Sequence, residues 1–322
     1  MMTFQRLASG LLASLLLACV ASAQNFPSKP VRIVVPFGAG GVADLTARTV
    51  AQKLGESLGQ PVVIDNKPGA GGVVAGDAVA KAEPDGHTLL LMSNGTAVSA
   101  GLFKSLPFDT ARDFAPVSTL GFFDIAIITP ADSKFKNLGE LLAFAKANPG
   151  KLNLGSINIG STQNLAAELF KTSAGVDMQI VPFNGTPAVI TALRGGQIDA
   201  AVEILGPVLP QIKASAVRAL AVTGEKRAAV LPDVPTAKES GLPTFVASSW
   251  NALAAPAKTP NDVIARLNKE ITAALNSADV KKKLADLNVE ARASSPEQAA
   301  ALLASETRRW GDVIVRAKIP TQ

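Results

Sequence analysis

The sequence predicts an α/β fold built of two similar units, on three observations. Short β-rich runs alternate with helical stretches from Pro30 onward, the alternation restarts after Phe122, and Gly-rich turns recur where strands give way to helices. In the first unit VRIVVPF is followed by the helical LTARTVAQKLGESL, the strand PVVID, the helix VVAGDAVAKA and the strand TLLLMS. Strands that feed helices that feed strands need crossover connections, and so predict a mainly parallel sheet. In the second unit DIAIITP leads to NLGELLAFAKANPG, KLNLGS, STQNLAAELFKTSAG, QIVPF, TPAVITALRGG and IDAAVEI, and VRALAVTG reads as a strand leaving the unit. From Trp250 the tail offers two helices with start signals: Thr259-Pro260-Asn261-Asp262 ahead of Val263, Ile264, Leu267 and Ile271, and Ser295-Pro296-Glu297-Gln298 ahead of Leu302 and Leu303. No low-complexity linker separates the units, so the chain is expected to cross between them as ordered strands, which suits a hinge.

The first residues carry Arg6, an apolar run from Leu11 to Val20, and the small residues Ala21 and Ala23. That is the pattern of a secretory signal peptide over residues 1–23, cleaved after Ala23. Leu16-Leu17-Ala18-Cys19 offers a second reading, a lipoprotein box that acylates Cys19 and tethers the chain to a membrane. Cys19 is the only cysteine, so a chain cleaved after Ala23 has neither thiol nor disulfide. No later stretch approaches the ~18 unbroken apolar residues of a membrane span, and an exported, soluble protein is expected. Removing 23 residues from 322 leaves 299, a length for about two domains. With Arg6 gone, 30 basic residues face 26 acidic ones. The one basic run, Lys281-Lys282-Lys283, shares a helix with Asp279 and Asp286 and has no interleaved aromatics, so a solvated face is expected rather than a nucleic-acid patch.

Three motifs could carry enzyme chemistry, and each fails on its context. Gly38, Gly40 and Ala43 after a strand, with Asp65 further on, have the spacing of a dinucleotide fingerprint. Pro36-Phe37 lengthens that turn, however, and an exported chain meets little nicotinamide cofactor. Gly55-Glu56-Ser57-Leu58-Gly59 matches GxSxG, with Asp65 and His87 following in hydrolase order, but a helix precedes the serine and a strand follows it, the reverse of a nucleophile elbow. Gly55 or Gly59 is instead expected to end the helix. His87 is the only histidine; with no second histidine at liganding spacing it is expected to be a surface turn residue. No catalytic residue, cofactor or metal is therefore assigned.

What recurs is the turn itself. PFGAGGVAD has a near copy in NKPGAGGVVAGD, with Gly69, Ala70, Gly71 and Gly72, and SNGTA, GSINIGSTQN and PFNGTPA place further small or hydroxyl residues at strand ends. The first N–H groups of a helix lack internal partners and carry the positive end of the helix dipole, so such ends bind anions. Two α/β units facing each other with such ends describe a clamshell that catches a small anion between them. Lys67 is the only cation in these turns, so backbone amides and hydroxyls are expected to hold the ligand, a carboxylate fitting best. Phe37 and Phe183, each after a proline at a strand end, are candidates for the pocket wall or for core packing.

The blocks PSKPVRIVVPFGAGGVAD, NKPGAGG, AEPDGHTLL, FDTARDFAPVSTLG, ANPGKLNLGS, VPFNGTPAVITALRGGQIDA, RALAVT, DVPTAKESGLP and Trp250 with LAAPAKTP, in this order, resemble the Bug-type periplasmic solute receptors of tripartite tricarboxylate transporters. The resemblance covers nearly the whole chain after the leader. It implies a two-domain type II periplasmic-binding-protein (clamshell) fold with crossing hinge strands, domain 1 comprising residues 24–124 and 224–322 and domain 2 residues 125–223. It also implies capture of a small organic acid (a di- or tricarboxylate, an aromatic acid or an amino acid) by a periplasmic monomer, and delivery to two membrane subunits of a carrier. Carried over residue by residue, it implies ligand contacts at Phe37, Ala39, Gly40, Gly41, Asn94, Thr96, Ser156, Ser161, Thr162, Gly185 and Thr186, with Asp44, Gly69, Ala70 and Phe183 completing the candidate set. Val42 stands where relatives commonly have Ser or Thr, and Asn158 where they often have Gly, so the preferred acid should differ. Glu203 and Asp199 follow the second-unit turns and could meet a ligand amine, although a solvated or hinge role is the simpler expectation. A sensor for a signalling partner and an exported hydrolase on the same scaffold remain as alternative readings.

Overall fold

The computed structural model describes residues 26–316 and 319–321. The leader expected over residues 1–23, its cleavage after Ala23 and the alternative at Cys19 all lie outside these residues. Ten strands form one continuous curled sheet: β1 (Val31–Val35), β2 (Val62–Asn66), β3 (Thr88–Ser93), β4 (Phe114–Pro130), β5 (Asn153–Ile157), β6 (Gln179–Phe183), β7 (Ala200–Ile204), β8 (Val217–Val222), β9 (Ser248–Pro256) and β10 (Val289–Ala291). Its main order is β2-β1-β3-β9-β4-β7-β5-β6, with β8 and β10 pairing with β4. The helices are α1 (Val42–Leu58), α2 (Val73–Ala80), α3 (Asn94–Leu102), α4 (Leu138–Ala147), α5 (Thr162–Ala174), α6 (Thr186–Arg194), α7 (Leu205–Lys213), α8 (Asn261–Asn276), α9 (Ala278–Asp286) and α10 (Pro296–Arg316). None of the described helices is long and apolar enough to cross a membrane.

The expectation of a mainly parallel sheet holds only at the two ends. β1 pairs in parallel with β2 and β3, and β5 with β6 and β7, but the middle is antiparallel: β9 lies between β3 and β4, and β4 meets β7, β8 and β10 head to tail. Sequence reasoning missed β9 and β10, the strands that return from the tail into the centre of the sheet.

β4 is 17 residues long and changes partners midway. From Phe114 to Asp124 it pairs with β9, and from Ile125 onward with β7 and β8. At this handover the chain crosses twice more. Thr223 donates its N–H to the Ile125 carbonyl at 2.9 Å and accepts from the Ala247 N–H at 2.9 Å, so three crossing segments lie side by side. The ordered crossing expected from the missing linker is thus present.

Each half of the sheet is covered on both faces by amphipathic helices. In the first half Val31, Ile33 and Val35 pack with Val50 and Leu54 of α1 and Leu267 and Ile271 of α8, while Val34, Leu90 and Met92 meet Phe108, Phe114 and Leu303. In the second half Ile125, Ile127 and Val202 pack with Leu141 of α4 and Phe170 of α5, and Ala126, Ile128 and Ala201 with Val189 of α6 and Val208 of α7. Each such fully buried aliphatic contributes about 1.5–3 kcal/mol. A smaller cluster joins the halves: Val98 and Leu102 of α3 and Trp310 and Ile314 of α10 surround Leu165 of α5.

The helix boundaries follow local chemistry. α1 stops at Gly59, whose φ of 70° and N–H bond to the Gly55 carbonyl make it the helix-ending glycine and dispose of the GxSxG reading. α10 opens on a reciprocal capping box, the Gln298 N–H donating to Ser295 Oγ and the Ser295 N–H to Gln298 Oε1. The parallel expectation at α8 is not met: Pro260 occupies the cap position, and the buried Thr259 hydroxyl makes no hydrogen bond. His87 is also corrected from surface turn to buried support. It is 8% exposed, accepts from the Ser28 N–H through Nε2, places Nδ1 3.2 Å from Asp85, and packs edge-on against Phe26.

Candidate functional site

A narrow cavity of about 40 Å³ lies between the two halves of the sheet. From the first half it is walled by the β1–α1 turn (Phe37, Gly38, Ala39, Gly41, Val42, Ala43), by Ser93 at the end of β3, by Phe123 of β4 and by Ser249 and Asn251 of β9. The second half supplies Ile157 at the end of β5 and Asn158 after it, Thr162 and Gln163 at the start of α5, Gly185, Thr186 and Pro187 at the start of α6, and Ile204 of β7. Phe37 packs against the cores of both halves, so it is wall and core at once.

Three helix N-termini converge here, and they differ in a way that matters. α5 caps itself, the Asn164 N–H donating to Ser161 Oγ at 3.1 Å. α1 and α6 have glycine at the cap, Gly41 and Gly185, and no side-chain cap bond. Where Ser, Thr, Asp or Asn usually satisfies the first N–H groups, these two helices have no such side chain; at α6 Pro187 has no N–H and the Ala188 N–H bonds the Gly185 carbonyl at 3.1 Å, which leaves the Thr186 N–H. Gly185 also needs to be glycine, because its φ is 142°. One uncapped end comes from each half of the sheet, and both line the cavity.

Among the described residues, no Lys, Arg, Asp, Glu or His lines the cavity. Among the described residues no group of three or more His, Cys, Asp or Glu is placed to hold a metal. The arrangement offers directional hydrogen bonds, two helix dipoles and apolar walls. The two halves touch at its rim. Thr162 Oγ1 and Ser249 Oγ are 3.1 Å apart, and a side chain on Gly160 would meet the Gly71 backbone 3.2 Å away. The structure is a closed clamshell.

Of the fifteen candidate residues, Phe37, Ala39, Gly41, Thr162, Gly185 and Thr186 line the cavity. The others support it or sit beside it. Asp44 is 2% exposed and faces inward to its own loop: Arg48 bonds it at 3.0 Å, the Asn66 amide at 3.0 Å and the Gly40 N–H at 3.0 Å. Burial works to raise the Asp44 carboxyl, yet Arg48, the Gly40 N–H and Asn66 together outweigh it and hold the group below the usual carboxylate range. Gly40 is therefore engaged as well. Asp44→Asn should lower stability by about 2 kcal/mol in urea unfolding at pH 7, the usual scale for a buried charged hydrogen bond; an unchanged midpoint would mean that the loop does not depend on this staple.

Hydroxyls that looked like ligand donors turn out to bind their own backbone. Thr96 Oγ1 accepts from the Ser93 N–H in a capping box, Ser161 caps α5, and the fully buried Ser156 accepts from Asn164 Nδ2. Asn94 is fully buried and donates to the Ser248 carbonyl at 2.9 Å. Gly69 and Ala70 belong to the tight turn before α2, and Gly69 stands outside the cavity wall. Phe183 walls a separate hollow with Gly71, Phe103, Asn158 and Ile159. Sequence reasoning missed Ser93, Phe123, Gln163, Ile204, Ser249 and Asn251. Val42 and Asn158, noted only as departures, both stand in the wall.

Glu203 is neither solvated nor at the wall. It is fully buried on β7 directly behind the cavity, where its Oε2 accepts from Thr186 Oγ1 at 2.9 Å and from Gln163 Nε2 at 3.4 Å, while Oε1 has no partner. Burial pushes its carboxyl up to about 7, against the smaller opposing pull of Thr186, Gln163 and the Ile204 N–H. Asp199 accepts from the Asn153 N–H at 2.8 Å and plays no part in the cavity.

Comparison with known proteins places this geometry. The profile of the tripartite tricarboxylate transporter family receptors matches residues 46–319. Protein BugT of Bordetella pertussis is 37% identical over 300 residues, covering 92% of each chain. An R. palustris protein solved with adipate superposes with a TM-score of 0.88 at 32% identity, covering 92% of this chain and 99% of the other. MatC from Rhodopseudomonas palustris, solved with bound malate, superposes with a TM-score of 0.85 at 35% identity, covering 90% of this chain and 100% of the other.

Proposed function

We propose, from the premise that the chain belongs to the receptor family of the tripartite tricarboxylate transporters, that it captures a small organic carboxylate in the cavity between β1–α1 and β6–α6. The family is one of solute receptors, and the solved relatives hold adipate and malate. The observation that carries the ligand class is the pair of helix N-termini without side-chain caps, one from each half, in a cavity that no charged side chain lines among the described residues. An anion there gains the first N–H groups of α1, the Thr186 N–H of α6 and the dipoles of both helices at once, so binding favours the closed arrangement.

In this reading residues 24–124 with 224–322 form one lobe and 125–223 the other. Of the candidate residues, Phe37, Ala39, Gly41, Thr162, Gly185 and Thr186 meet the ligand. The receptor works as a monomer in the periplasm, reached by export with cleavage after Ala23. It hands its solute, unchanged, to the membrane subunits of a carrier. A thermal-shift panel of organic acids, backed by calorimetry, tests this: the cognate carboxylate at one hundred times its Kd should stabilise the chain by about 2.7 kcal/mol. Stabilisation by sugars or cations alone would overturn the anion argument, and product formation from the bound acid would overturn the receptor assignment.

A further inference from the structure

The carboxylate-seating groups are backbone donors, but the side chains beside them have the opposite polarity. Thr186 contributes both: its N–H is among the first N–H groups of α6, and its hydroxyl donates to Glu203 Oε2 behind it at 2.9 Å. With its proton committed, Thr186 Oγ1 can only accept from the cavity side. Gln163 turns its Nε2 to the same oxygen, at 3.4 Å, which leaves its Oε1 as an acceptor. Across the cavity Asn251, 1% exposed, donates through Nδ2 to the Trp250 carbonyl, and its Oδ1 is buried without a protein partner. Oε2 of Glu203 receives both donors when the group is ionised and when its proton sits on Oε1, and in both cases Thr186 Oγ1 faces the cavity as an acceptor.

We propose that Glu203, acting through Thr186 and Gln163, sets an acceptor wall next to the α6 N-terminus, so that the receptor selects a carboxylate bearing a hydroxyl or ammonium group on the adjacent carbon. The Thr186 N–H meets the carboxylate, and Thr186 Oγ1 with Gln163 Oε1 accepts from the neighbouring donor. A plain dicarboxylate placed there leaves these buried acceptors facing C–H bonds, and an unmet buried acceptor is expensive. Glu203 is a positioning residue in this scheme, since it touches its two neighbours and not the solute. The inference rests on the carboxylate reading above.

Calorimetry with matched acids decides it: malate and aspartate against succinate, lactate and alanine against propionate, and mandelate against phenylacetate. For the skeleton that binds, the donor-bearing acid should bind at least ten-fold more tightly than its donor-free partner. Which donor-bearing acid leads tells hydroxyl from ammonium. Thr186→Val, which keeps the backbone N–H, and Glu203→Met, which frees both neighbours to donate, should each reduce that ratio below three-fold. Glu203→Gln, whose carbonyl can still accept from both, should preserve it. A purely structural Glu203 would weaken both members of a pair equally. Equal binding within the wild-type pair, or an unchanged ratio in Thr186→Val, overturns the acceptor wall while leaving the receptor reading intact; failure of every carboxylate to bind overturns both.

Discussion

Replacing Gly160 with valine should cost the receptor about 100-fold or more in affinity, some 2.7 kcal/mol, while leaving its unliganded fold in place. Gly160 has a φ of 82°, and a Cβ there would lie 3.2 Å from Gly71 Cα and 3.2 Å from Leu102 Cδ2. A Cβ on Gly95 would in turn press on the Gly160 carbonyl at 3.3 Å. Gly160 and Gly71 follow strands of opposite halves, so the crowding exists only when the halves meet. The strained backbone adds about 1 kcal/mol, which the open state feels too; the side-chain clash belongs to the closed state alone. Since a ligand held by both halves draws its affinity from closure, blocking closure removes one half of its contacts. Small-angle scattering with and without ligand, alongside calorimetry, measures it. A variant that closes normally and keeps its affinity would show that the glycine contact at the rim is incidental.

The second large effect concerns Glu203 and pH. Its folded carboxyl is pushed up to about 7 by burial, above the unfolded value of 4.5. Between these values the folded chain keeps a proton that the unfolded chain has released. The stability is therefore whole below about pH 4.5, is lost as pH rises through the window, and levels off above about 7, the loss reaching on the order of 3 kcal/mol. Glu203→Gln removes the titration. Urea unfolding of the ligand-free chain at pH 5 and pH 8 should show the variant gaining on the wild type by about that amount at the higher pH. Identical pH profiles for the two chains would mean that Glu203 titrates as an ordinary surface acid.

How much of this was legible beforehand depends on whether the signal is local. The strand VRIVV, the glycines that follow it and the Gly59 helix end could be read directly, since each expresses backbone sterics within a few residues. The Gly-rich turns were legible for the same reason, though not which of the helix starts lack a cap. β9 was not: SSWNALAAP mixes small, polar and aromatic residues without alternation, being buried along nearly its whole length between β3 and β4. With it went Ser249 and Asn251, which only the sheet brings to the cavity. Glu203 was visible as a residue but not as a buried one, because the partners that explain it lie 17 and 40 residues away. The hydroxyls of Thr96, Ser156 and Ser161, each hydrogen-bonded within its own segment, show the converse. Near a strand end such a group serves its own backbone as readily as a solute, and composition alone does not separate the two roles.

The three bonded ribbons at Asp124–Ile125, Thr223 and Ala247 act as the spine of a book. On the proposed receptor reading, covers stitched in this way would swing about that seam rather than slide or part. A solute felt only deep in the gutter would thereby be converted into the distance between the outer page edges, a quantity that a second protein resting on those edges could gauge without ever touching what lies inside.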